Sequence, residues 1–198
     1  DAALVIEGGL VVYAGPQGSA PLDVDARLAV EGRCVMPGFV DSHTHLIFDG
    51  DRAEEFAGRM AGLPYQPSGI LDTVRATRAA SVAELTSMAR GRLDQALASG
   101  TTTVEVKTGY GLTPEHEALH LDIARSLTAE ATFLGAHLGP PEYAGDRDSY
   151  VHLLADRMVP SAAASARWCD VFCETGAFDV DECRQVLTAA RDAGLGLR

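Results

Sequence analysis

Four short apolar runs recur along the chain, GFVDSHTH (38–45), TTTVEVK (101–107), ATFLGAH (131–137) and WCDVFCE (168–174), with segments of helical period between them. Strand and helix in alternation is the signature of βα units built on a parallel sheet. The helix ends are also legible. Ser81 and Glu84 make a capping box ahead of Leu85, Met88, Leu93 and Leu97, and Gly100 closes that helix. Thr113 and Pro114 open the next helix; Asp179 and Glu182 open the last, which ends at Gly194. Polar residues gather at the C-terminal ends of the strands. The pattern therefore predicts an α/β fold in which residues 37–198 form the first four units of a (β/α)8 TIM-type barrel, with a doubly wound open sheet as the alternative. The closing LGLR reads as the opening of a fifth strand. A full barrel takes about 250 residues, so the chain looks truncated.

Residues 1–36 have a different texture. ALVIEGGLVVYAGP and ARLAVEGRCVMPG alternate β-rich runs with Gly and Pro, and are expected to form part of a small N-terminal β-sandwich. A hydrophobic content of 46% in 198 residues is ample for a core. The net charge of −12, from 28 acidic against 16 basic residues without a run of either sign, argues against nucleic acid and anionic membranes as partners. No apolar stretch approaches the roughly 18 residues of a membrane span, and DAALVIEGG is not a signal peptide. The four cysteines match neither C-x-x-C nor a small disulfide framework, which fits the reducing cytoplasm.

Two metal-like signals compete. HEALH (116–120) matches the helix-borne H-E-x-x-H of zinc proteases, and His43 with His45 makes H-x-H. His116 stands in the first turn behind Pro114, and the face it shares with His120 continues as Ile123, Ala124 and Leu127, the stripe a helix packs inward. Ile123 also occupies the place where the longer protease motif has Gly. The two are thus read as partly exposed helix histidines. His43 and His45 instead end an apolar strand, where period two turns both rings to one face. Two imidazoles inside the mouth of a barrel are costly unless a divalent metal engages them. Asp41 shares their parity one step deeper, either orienting an imidazole or serving the barrel floor.

PGFVDSHTHL resembles the amidohydrolase superfamily, in which a small β-sandwich leads into a metal-bearing barrel. DGDRAEEF (49–56), TVEVKTGYGL (103–112), TFLGAHLGPPEY (132–143) and DVFCETGAF (170–178), taken in order, resemble the imidazolonepropionase family of histidine degradation. The resemblance implies hydrolysis of the cyclic amide of 4-imidazolone-5-propanoate to N-formimidoyl-L-glutamate with one zinc or iron ion. It places His43 and His45 as two metal ligands and Arg52, Tyr110 and His137 at substrate-binding positions, with a His and an Asp from later strands, beyond Arg198, completing the metal set. Arg52 would grip the propanoate carboxylate, its alternative being an ion pair with Glu55 or Asp51. Tyr110, between Gly109 and Gly111, would reach over the mouth or pack on its rim.

His137 would polarise the ring carbonyl or hold an oxyanion, a third metal ligand and a satisfied core histidine being the other readings. Lys107, Cys173 and Glu174 end strands as candidate supports, and Tyr65 in GLPYQ is a further candidate for the pocket. The Gly-rich stretch common in the family before the second barrel strand is reduced here to QPSGI (66–70). A homodimer is expected from the resemblance. Competing classes are a deaminase or dihydroorotase-like enzyme, and an inactive barrel fragment acting as an interaction protein.

Overall fold

The structure is a computed structural model that describes residues 1–62 and 68–198, so Tyr65 and the Gln66 and Pro67 of QPSGI lie outside the described residues. It divides into two compact units, Asp1–Pro37 and Gly38–Arg198. In the first, β1 (Ala2–Glu7) pairs antiparallel with β2 (Leu10–Pro16). Gly8 and Gly9 join them at φ of 57° and 80°, the backbone of a two-residue hairpin turn whose twist matches that of the strands. ARLAVEGRCVMPG, expected as further strand, forms none. A strand needs a partner's backbone, and among the described residues β1 and β2 pair only with each other. Alternation alone does not supply that partner.

The second unit holds five parallel strands: β3 (Phe39–Thr44), β4 (Thr101–Lys107), β5 (Ala131–Ala136), β6 (Trp168–Val171) and β7 (Gly196–Leu197). They lie side by side in sequence order, and the closing LGLR does supply the fifth. A doubly wound sheet reverses its order at a switch point. No reversal occurs among these five strands.

The helices are α1 (Ala53–Met60), α2 (Ser68–Ala79), α3 (Val82–Ala98), α4 (Pro114–Leu127), α5 (Arg147–Leu153), α6 (Val159–Ala162) and α7 (Val180–Asp192). Their ends follow the sequence signals. Ser81 accepts from the Glu84 N–H in a complete capping box, Asp179 and Glu182 make a second, and Thr113 caps α4 ahead of Pro114. The α5–α6 segment was not legible. Leu154–Met158 joins the two as a π-helical stretch, and Pro160 follows within α6. Proline lacks the N–H of a regular helix and crowds the preceding turn, and a wider turn accommodates it.

Two apolar clusters pack helices on one side of the sheet. Val104 and Val106 of β4 meet Leu85 and Ala89 of α3 and Ile123 and Ala124 of α4. Phe133 of β5 and Cys169 of β6 meet Leu121, Tyr150, Leu154, Met158 and Val186. The alternate residues carry charge. Lys107 Nζ lies 2.9 Å from Glu105 Oε1 and 2.8 Å from Asp170 Oδ2, Thr132 donates to Glu105, and Arg198 Nη1 stands 3.2 Å from the other Glu105 oxygen. Glu105 and Lys107 are each only 2% exposed. Buried charges persist where each has an opposite partner in hydrogen-bonding reach, and this network ties β4, β5 and β6 across the face that the histidines share. Lys107 is thus held between Glu105 and Asp170. Glu174 is spent locally on the Thr175 N–H, and Cys173 is exposed.

Candidate active site

β3 delivers the two histidines. Thr44 Oγ1 donates to the Glu105 carbonyl at 2.6 Å, locking the end of β3 to β4. The ring centroids of His43 and His45 stand 5.6 Å apart. Burial lowers the pKa of His45 to about 3, with His137, His43 and Lys107 adding to the effect, so its ring is neutral near pH 7. Asp41 does not orient an imidazole in this structure. Its Oδ1 accepts instead from the backbone N–H of His43 at 3.3 Å, where the pairing of β3 with β4 is irregular.

The loop after β4 brings Tyr110, and the end of β5 brings His137. The His137 ring stacks on His45 at 5.0 Å with planes 11° apart, and Tyr110 lies 5.1 Å from His45 and 5.4 Å from His137. Nδ1 of His137 is 2.9 Å from the Gly109 carbonyl oxygen. A carbonyl only accepts, so Nδ1 carries the proton and Nε2 of the neutral ring presents a lone pair. Burial lowers the His137 pKa, the Gly109 bond working in the other direction. Donation to a substrate carbonyl requires a second proton on Nε2. The geometry therefore makes His137 an acceptor or a ligand in its neutral form.

Gly109 sits at φ 113°, and a Cβ there would come within 2.9 Å of both His137 Nδ1 and the Leu134 carbonyl oxygen. Only glycine permits this approach.

Arg52 and Tyr110 line one cleft of about 300 Å³ together with Phe48, Gly50, Asp51 and Thr73. Arg52 Nη1 also stands 3.8 Å from Glu55 Oε2, beyond hydrogen-bond length, so the alternative ion pair and the cleft position coexist. Phe48 is held from behind by Arg92, whose guanidinium lies 3.6 Å from the ring centroid and donates to the Leu46 and Phe48 carbonyls at 2.7 and 2.8 Å. Thr77 accepts from the Asp49 N–H at 3.0 Å. These braces from α2 and α3 were invisible in the sequence, because they join residues far apart along the chain.

The arrangement can be set beside known proteins. No family model matches the chain. An imidazolonepropionase of Salinispora tropica is 55% identical over all 198 residues, which cover 50% of that relative. Imidazolonepropionases of Rhodococcus jostii and Mycolicibacterium smegmatis are 53% and 52% identical over 98% of the chain, covering 48% and 49% of theirs. Over nearly its whole length the chain is thus similar to imidazolonepropionases. It spans about half the length of the curated relatives it matches.

The resemblance implies one zinc or iron ion beside His43 and His45, and two observations are compatible with such an ion. His45 Nδ1 is buried without a hydrogen-bond partner, and an imidazole binds a cation through such a lone pair. With Zn–N bonds of about 2.0–2.1 Å, the centroids of two rings on one ion stand at most roughly 6.5 Å apart, and the 5.6 Å found here satisfies that bound. Among the described residues, no group of three or more His, Cys, Asp or Glu side chains is arranged to hold an ion.

HEALH is not arranged as a metal centre among the described residues. His116 Nδ1 bonds Thr113 Oγ1 at 2.9 Å, and Glu117 turns inward. His120, expected to be partly exposed, is fully buried, with neither ring nitrogen hydrogen-bonded. It lies on the same stripe as Leu121, Ile123 and Ala124, which the helix buries. Burial lowers its pKa, so the ring is neutral. Replacing a buried polar group that lacks a partner by an apolar one is nearly neutral or stabilising. His120→Leu is expected to shift stability by no more than about 1 kcal/mol and to leave bound metal unchanged, as read by thermal unfolding and metal analysis. Loss of metal in that variant would revive the protease-like reading.

Proposed function

We propose that these residues are the N-terminal part of a metal-dependent cyclic-amide hydrolase that opens the ring of 4-imidazolone-5-propanoate to give N-formimidoyl-L-glutamate. One observation carries the reading: His43, His45, Tyr110 and His137 converge from three βα units, beside a cleft containing Arg52. The sequence order of five parallel strands supports a (β/α)8 barrel whose C-terminal strand ends form this mouth. The hairpin of the first unit is assigned to the accompanying β-sandwich. Localisation in the cytoplasm and a homodimer complete the proposal; no described helix is long and apolar enough to cross a membrane.

His43 and His45 would hold one zinc or iron ion. Such an ion lowers the pKa of bound water to about 7 and so supplies hydroxide at neutral pH. The chain's own residues do the rest. Arg52 pairs with the propanoate carboxylate, supplying the local positive charge that an anionic substrate needs against a net charge of −12. His137 Nε2 accepts a hydrogen bond from a ring N–H, which orients the cyclic amide, and Tyr110 closes over it. A deaminase of the same superfamily would release ammonia from its substrate. The test is to incubate the full-length protein with 4-imidazolone-5-propanoate and follow ring absorbance and product mass. Loss of absorbance with gain of one water and no ammonia is expected; an untouched substrate would overturn the reading.

A further inference from the structure

The glutamate inside HEALH has a task that neither metal motif describes. Glu117 is 1% exposed, one turn into α4, and its Oε1 accepts from three backbone N–H groups of the preceding loop: Gly109 at 3.2 Å, Gly111 at 2.8 Å and Leu112 at 2.8 Å. Hydrogen bonds to an ionised acceptor are roughly twice as strong as neutral ones, and burial strengthens them further. The loop is shaped around that oxygen. A Cβ on Gly111 would meet Glu117 Oε1 at 2.9 Å, and Leu112 takes φ of 55°, a left-handed backbone that a leucine seldom adopts. On the carbonyl side, Arg78 Nε of α2 donates to Gly111 O at 2.6 Å, and Glu142 from the loop after β5 holds Arg78 in turn.

Gly109 is the joint between this clamp and the site. Its N–H goes to Glu117 and its carbonyl takes the Nδ1 proton of His137. Tyr110 is the next residue, its ring 5.4 Å from that of His137. We infer that Glu117 is a positioning residue: by gathering the Gly109, Gly111 and Leu112 N–H groups it fixes the Gly109 carbonyl, which sets the tautomer and place of His137, and it fixes the backbone that carries Tyr110. This inference rests on the hydrolase reading, since it gives the two rings a substrate to meet. An apolar residue of similar volume would fill the same space without burying a charge. A carboxylate is needed because nothing apolar accepts three N–H bonds.

The test uses the full-length protein with Glu117→Gln, which keeps the shape and removes the charge, alone and combined with His137→Phe. In Glu117→Gln, hydrogen exchange at the amides of Gly109, Gly111 and Leu112 is expected to quicken at least about tenfold while melting temperature and bound metal stay near wild type. Its kcat/KM should fall on the order of 10- to 100-fold, the scale of a misplaced orienting group. Most of that fall should vanish in the His137→Phe background, because the two residues act through one peptide. A fall of equal size with and without His137, unchanged kinetics, or a Glu117→Gln chain that does not fold would each overturn the assignment. A wild-type protein inactive on the imidazolone would instead overturn the hydrolase reading itself, and the positioning role with it.

Discussion

Replacing His43 and His45 together by alanine in the full-length protein is expected to remove the bound metal and to lower kcat on the order of 10³-fold or more. Without the ion, water at the site keeps its ordinary pKa and hydroxide is scarce at neutral pH. The fold should survive, since both rings sit at the end of β3 and His45 Nδ1 makes no hydrogen bond. Loss of a bound ion removes its linkage stabilisation, so the melting temperature should drop only to that of the chelated wild type. The checks are metal analysis, steady-state kinetics and thermal unfolding on one preparation. Retained metal with full activity would show that these histidines are not its ligands.

His137→Phe is expected to separate orientation from metal binding. Phenylalanine keeps the ring in the stack on His45 but removes both nitrogens, leaving the Gly109 carbonyl without its donor and the substrate without its acceptor. Misplacement of the cyclic amide should lower kcat/KM on the order of 10²–10³-fold, with KM raised as well, while one metal per chain is retained. Metal lost in this variant would instead make His137 a third ligand, the role its free Nε2 lone pair also permits. Kinetics and metal content, measured together, decide between them.

What was legible in the sequence shares one property: it is local. The parity that turns His43 and His45 to one side, the capping boxes of α3 and α7, and the proline that opens α4 are all written within a few residues, and the structure reproduces each. What was missed needs two distant segments. Lys107 meets Asp170 on β6, Arg92 of α3 braces Phe48, and Arg78 of α2 holds Gly111; no periodicity announces such pairs. Glu117 lies between these cases. A Gly-x-Gly loop followed within one helical turn by an inward-facing glutamate is a readable signal, but the histidines on either side of it drew attention to metal. In residues 26–38 alternation predicts a strand and none forms, since alternation does not supply the backbone that a strand pairs with.

The most direct test of the account is a metal titration of the full-length protein: strip it with a chelator, then follow hydrolysis of 4-imidazolone-5-propanoate while zinc or ferrous iron is added back. Activity that vanishes on stripping and returns in proportion to metal, levelling at about one ion per chain, is the predicted result. Turnover by the stripped protein at the undiminished rate would contradict it, and His43 and His45 would then need another explanation.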